Sequence, residues 1–124
     1  MDKGIEIYDQ NSYDIVTNVF PRSFPKGQSI EIINSDIFKT AYENFTKEEH
    51  FEHVTNYFYS NSKNYSIFNF ESKINLNNIR MAVDTRKDFH IIKQIISNFE
   101  KPHTNYDMSQ ILDIIERNKI KCLE

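Results

Sequence analysis

Five side chains are the candidates for chemistry in this sequence: Glu31, Glu52, His53, Arg80 and Asp84. Asp84 is the sharpest. In the stretch RMAVDTRKDFHIIKQIISNF, a short apolar run ends at Asp84-Thr85 and an amphipathic helical pattern follows. Thr85 can cap that helix through its hydroxyl, which leaves the preceding carboxylate free for another task. Ligands of open α/β sheets bind beyond the carboxyl ends of strands. A carboxylate there is a hard oxygen donor suited to Mg²⁺, which takes one or two carboxylates plus substrate phosphates. The alternative is that Asp84 is itself a cap or turn residue, a common place for aspartate.

The other candidates are weaker on spacing alone. Glu31 lies between Ile30 and Ile32, so strand alternation puts it on the opposite face from them. On alternation alone it reads as an exposed edge residue. His50 and His53 stand three apart beside Glu49 and Glu52, which is not the four-residue spacing of a helical zinc pair. A solvated helix face accounts for them equally well. Arg80 either pairs with an acid or meets substrate. Tyr57, Phe58 and Tyr59 read as core and rim packing.

These residues need elements to hold them. IEIYDQNSY reads as the last turns of a helix, ended by Asn11-Ser12. YDIVTNVF and SIEIIN read as strands, separated by the Pro- and Gly-containing loop PRSFPKGQ. Asn34 or Ser35 caps a helix carrying Ile37, Phe38, Ala41 and Phe45 on one stripe. Thr46-x-x-Glu49 has capping-box spacing and opens a helix predicted to run through HFEHVTNYFY. YSIFNFE alternates as a third strand, and IRMAV reads as a short fourth one. Thr85-x-x-Asp88 opens a helix with Phe89, Ile92, Ile95, Ile96 and Phe99 at three- and four-residue spacings. Asp107-x-x-Gln110 opens the last, with Met108, Ile111, Leu112 and Ile115 inward. Strands alternating with helices predict an α/β fold, a small mixed sheet flanked by helices, in a single domain over residues 1–124.

Composition excludes several classes. A net charge of −3 without a basic stripe argues against a nucleic-acid binder. No apolar run nears the roughly 18 residues of a membrane span, and the N-terminus is no signal peptide. A cytoplasmic location is therefore expected. One cysteine, Cys122, rules out an intrachain disulfide and a multi-cysteine metal site. With Gly4 and Gly27 as the only glycines, neither standard Gly-rich phosphate loop is present.

Three ordered segments resemble the cytidylyltransferases that activate acidic sugars, the CMP-KDO synthetase and acylneuraminate cytidylyltransferase family. The likeness is greatest to the branch named for spore coat polysaccharide biosynthesis protein F. NIRMAVDTRKDFHIIKQI resembles its closing motif through Arg80, Val83, Asp84, Thr85 and Asp88. FPRSFPKGQSIEII resembles a second segment through Pro25, Gly27 and Glu31, and EHVTNYFY a third through Glu52, His53, Val54, Thr55 and Tyr57. Departures are Ser29 where the family has aspartate, Asn56 where it has proline, and Arg86-Lys87 where Pro and Glu often follow Asp-Thr.

The resemblance implies a partial nucleotide-diphospho-sugar transferase fold, Rossmann-like, and the reaction of CTP with an acidic sugar in surface polysaccharide synthesis. It implies Mg²⁺ held partly by Asp84 in a completed active site, with Glu31, Glu52, His53 and Arg80 on the substrate. It also implies that the N-terminal CTP-binding half, with its basic Gly-containing loop and first metal-binding Asp, is absent. The chain then reads as a C-terminal, sugar-side portion, split or truncated, whose N-terminal half comes from another chain. An uncovered sheet edge predicts a homodimer or hetero-complex. The alternative is a remnant or binding and dimerisation module without turnover.

Overall fold

A computed structural model describes residues 2–122. It forms two compact units, one made of the chain up to Phe24 with Ser29–Asn75, the other of Pro25–Gln28 with the chain from Leu76.

The first unit is built on a three-stranded mixed sheet, order β2-β1-β3. The central strand β1 (Ile15–Thr17) is made of β-branched residues and is wholly buried. It pairs antiparallel with β2 (Glu31–Ile33), Ile15 opposite Ile33, and parallel with β3 (Ile67–Asn69), Ile15 opposite Ile67. Helix α1 (Asp2–Gln10) comes close enough that a Cβ on Gly4 would lie 3.3 Å from both Ile30 Cγ2 and Ile32 Cδ1. Helix α2 (Ser35–Tyr42) is capped by Asn34, whose Oδ1 accepts from the Asp36 and Ile37 amides. Ile15, Ala41, Phe45 and Phe58 form the core, with Ile33, Ile37, Phe38, Val54 and Tyr57 against them.

Two expectations fail here. Thr46 does not cap the next helix. The Thr46 and Lys47 amides point instead at Nδ1 of His50, which is 8 % exposed and packs its ring against Phe45 and Tyr57. The buried imidazole supplies the acceptor that the Glu49 carboxylate of a capping box would have supplied. Nor does the helix run through to Tyr59. It splits into α3 (Glu48–Glu52) and α4 (Asn56–Ser60), because His53 leaves helical geometry at φ −122°, ψ 71°. Phe58 of α4 is completely buried.

The second unit is built on a helix pair, α5 (Arg86–Ser97) and α6 (Met108–Arg117), over a core of Ile95, Ile114, Ile115 and Cys122. Both predicted capping boxes form: the Asp88 amide donates to Thr85 Oγ1 at 3.2 Å, and the Gln110 amide to Asp107 Oδ1 at 2.9 Å. The inward face of α5 differs from the predicted stripe. Ile91, Ile92, Ile95 and Phe99 face the core, while Phe89 and Ile96 are each 55 % exposed.

The predicted fourth strand does not form. Residues 79–83 bridge only at Ile79 and Arg80, Arg80 parallel to Lys26, instead of forming a ladder. Lys26 lies in a tight turn, closed by Gln28 N–H to Pro25 O, in which its N–H donates to Ile79 O and its C=O accepts from the Met81 amide. Gly27 sits at φ +94° in that turn, and a Cβ there would come within 2.7 Å of the Met81–Ala82 backbone. Only glycine fits.

α6 ends in a Schellman motif. Ile120 N–H donates to Ile115 O at 3.0 Å and Lys119 N–H to Glu116 O at 3.1 Å. Lys119 takes the left-handed position usually given to glycine, at φ +51°. A side chain there costs roughly 1 kcal/mol.

Candidate functional site

In the first unit, Glu31 of β2 reaches Tyr59 of α4. The Tyr59 hydroxyl donates to Glu31 Oε1 at 2.5 Å and lies 3.1 Å from Thr17 Oγ1. Thr17 is fully buried, so the sheet interior fixes one end of this chain and the exposed carboxylate forms the other. Phe20 stacks on the Tyr59 ring with centroids 4.7 Å apart. Burial, then the carboxylate beside it, push the Tyr59 phenol well above its ordinary range. The phenol therefore stays protonated and acts as a donor.

The loop that carries Phe20 is pinned from the sheet. Asn69 Oδ1 accepts from the Phe20 amide at 2.9 Å, and its Nδ2 donates to Pro21 O. Arg22 donates to Ser29 Oγ at 2.9 Å, so Ser29 serves an arginine of the same loop. Glu31, Tyr59, Thr17, Phe20 and Arg22 thus gather a carboxylate acceptor, a phenol, an aromatic face and a cation around one edge of the sheet. Such a set suits a polyhydroxylated ligand: acceptors and donors for hydroxyls, with a ring to cover an apolar sugar face.

His50 and His53 part company. The His50 side chain is in the core, whereas that of His53 is 64 % exposed beside Glu52, its Nε2 4.0 Å from Glu52 Oε1. Among the described residues no group of three His, Cys, Asp or Glu is placed to hold a metal.

In the second unit, Asp84 precedes α5 at a bend and not at a strand end. Its side chain is 68 % exposed and pairs with Nη2 of Arg80. Arg80 also donates through Nε to Asp88 Oδ1 at 3.1 Å. Asp88 Oδ2 accepts from the Thr85 hydroxyl, the Thr85 amide and, at 3.2 Å, the Asp84 amide. These donations, the Thr85 hydroxyl foremost, hold the Asp88 carboxyl down at about 2. Arg80 itself is anchored by its amide, which donates to Cys122 O at 2.8 Å. Asp84 and Arg80 are thus brought together, and the buried Asp88 orients the guanidinium between them.

The test for Mg²⁺ is the donor set. Asp84 alone offers an accessible carboxylate, already engaged by a guanidinium, while Asp88 spends its oxygens on the cap and Arg80. One carboxylate fits a hydrated Mg²⁺ only when phosphate oxygens complete the shell.

Sequence reasoning missed Tyr59 and Thr17 as polar members of the Glu31 cluster. The Glu31–Tyr59 pair joins a strand and a helix far apart in sequence, and no local pattern carries it.

No protein-family model matches the chain, and no curated protein matches it. Among solved structures, it is similar to a cytidylyltransferase from Leptospira borgpetersenii serovar Hardjo-bovis (strain JB197), with a TM-score of 0.89 and 22 % identity. The match covers 99 % of this chain and 52 % of that one, so the chain spans about half the length of its structural neighbour. The likeness shows the fold: a small mixed sheet flanked by helices, as in a cytidylyltransferase. Among the described residues no helix is long and apolar enough to cross a membrane.

Proposed function

We propose that the chain is the sugar-side portion of a cytidylyltransferase that activates an acidic sugar with CTP for surface polysaccharide synthesis, in the manner of the spore coat polysaccharide branch. The observation that carries this reading is the fold match over nearly the whole chain, on which the three motifs quoted above fall in order. A cytoplasmic setting suits a reaction that consumes CTP.

In the proposed reaction a sugar hydroxyl oxygen forms a bond to the α-phosphorus of CTP, the bond from that phosphorus to the bridging oxygen breaks, and pyrophosphate leaves. The hydroxyl proton passes to a base that this chain does not identify. Glu31, held by Tyr59, accepts from a sugar hydroxyl or pairs with an ammonium substituent. Glu52 and His53 contribute to the sugar-facing side. Arg80 positions Asp84, and Asp84 would hold Mg²⁺ together with nucleotide phosphates. The metal would supply charge neutralisation on the phosphates. The CTP-binding half would come from another polypeptide segment, in a homodimer or hetero-complex. Among the described residues the edge strands β2 and β3 have no strand on their outer sides, which suits such pairing.

A non-catalytic binding or dimerisation module is the second reading, favoured by the Arg80–Asp84 pair, which occupies the would-be metal ligand. The experiment is pyrophosphate release from CTP, Mg²⁺ and a panel of acidic sugars, with the chain combined with a polypeptide carrying the CTP loop. Turnover that Asp84→Asn abolishes supports the enzymatic reading. No turnover with any sugar supports the second.

A further inference from the structure

A basic feature of the second unit rests on none of the roles assigned to Asp84 and Glu31. Between one flank of α5 and the chain that follows α6 runs a groove of about 600 Å³. Lys87, Lys119 and Lys121 line it together with His90, over an apolar floor of Ile91 and Ile120. Among the described residues no carboxylate lines this groove, and none of the three lysines makes an ion pair. In a chain of net charge −3 that is a local reversal of sign.

Lys119 adds a second observation. It holds the left-handed position of a Schellman motif, where glycine would fit without strain. The backbone there gains nothing from a lysine. A side chain kept at a strained position points to a use for its ammonium group. The competing account is electrostatic, since cations near a helix C-terminus offset its dipole. That account does not require the cation to sit at the strained residue, nor does it recruit Lys87 from the first turn of α5.

We propose that this groove binds a small phosphorylated molecule, its phosphate held by the three lysines and its less polar part lying on the isoleucine floor. The volume is that of a small-molecule site. The overall negative charge disfavours a nucleic acid, which a longer basic surface would be needed to hold.

The test uses inorganic pyrophosphate as the probe, with the whole chain, in EDTA so that no metal site contributes, and with sodium chloride and sulfate at matched ionic strength as controls. Binding is followed by amide chemical shifts and calorimetry. Saturable pyrophosphate binding at the α5–α6 groove is expected. Lys119→Gly and Lys121→Met should each weaken it at least five-fold, and Asp84→Asn should leave it unchanged. Lys119→Gly should also raise the thermal midpoint, because it removes the strain. That combination, greater stability with weaker binding, is not what a purely structural lysine gives. The proposal is overturned if the shifts merely follow ionic strength, if both lysine variants bind as the parent does, or if duplex DNA or anionic vesicles bind more tightly than pyrophosphate. Failure here leaves the cytidylyltransferase reading untouched, because its assay depends on Asp84.

Discussion

Arg80 donates through Nη2 to the carboxylate of Asp84, four residues on, while Asp88 holds the same guanidinium from the buried side. The candidate metal ligand is therefore already engaged in the absence of substrate. A single exposed carboxylate in that state has little to offer a strongly hydrated cation. The chain by itself is expected to show no Mg²⁺ binding heat in the micromolar range. Micromolar binding that disappears in Asp84→Ala would refute the assignment of phosphate as the missing partner.

The cap that precedes α5 couples stability to acid. Asp88 ionises at about 2 in the folded chain, against roughly 3.9 when unfolded. A depressed carboxyl contributes stability above the unfolded value and loses it as pH falls through the folded one. Denaturant midpoints should accordingly fall between about pH 4 and pH 2, and that part of the decline should be absent in Asp88→Asn. Thr85→Ala removes the largest cause of the depression along with the N-cap. It should cost about 1 kcal/mol at neutral pH and raise the Asp88 value measured by carbon NMR.

Tyr59 gives the opposite sign at the alkaline end. Its raised phenol contributes stability that is complete below about 10, the unfolded value, and that is lost as pH climbs toward the folded one. Spectrophotometric titration should show one tyrosine ionising only as the chain unfolds, and Tyr59→Phe should abolish that component. The same substitution leaves Glu31 without its donor, so sugar binding should weaken without a change of fold.

Phe58 of α4 sits at zero exposure against Phe38 of α2 and Tyr65, with ring centroids 6.2 Å and 5.0 Å away. Phe58→Ala should cost about 3–5 kcal/mol in chemical denaturation. Phe89→Ala, on the exposed side of α5, should cost far less.

These outcomes separate what local sequence could reveal from what it could not. The three strands of the sheet, the Asn34 cap and both later capping boxes were legible because each depends on residues within a turn or two of one another. The cap of α3 was not, since Thr46-x-x-Glu49 satisfies the same local rule that the buried His50 imidazole overrode, nor was the break at His53, whose φ and ψ leave the helix with no glycine or proline to mark it. Residues 79–83 looked like a strand by composition, but a ladder needs a partner of equal length, and theirs is a four-residue turn. Periodicity placed Phe89 and Ile96 on an apolar stripe of α5 without saying which side of that stripe α6 would cover. At the candidate site, Glu31 was visible as an odd carboxylate among isoleucines. Tyr59 was hidden, because its hydroxyl matters only through a strand brought against its helix by the fold.

The central claim is that this chain carries the sugar-binding side of a nucleotidyltransferase. Saturation-transfer NMR on the chain with acidic sugars of the KDO and N-acylneuraminate class tests it directly. Transfer to the acidic sugars, little transfer to glucose, and loss of the signal in Glu31→Gln are predicted. No transfer to any acidic sugar, or equal transfer to glucose and in Glu31→Gln, would contradict it.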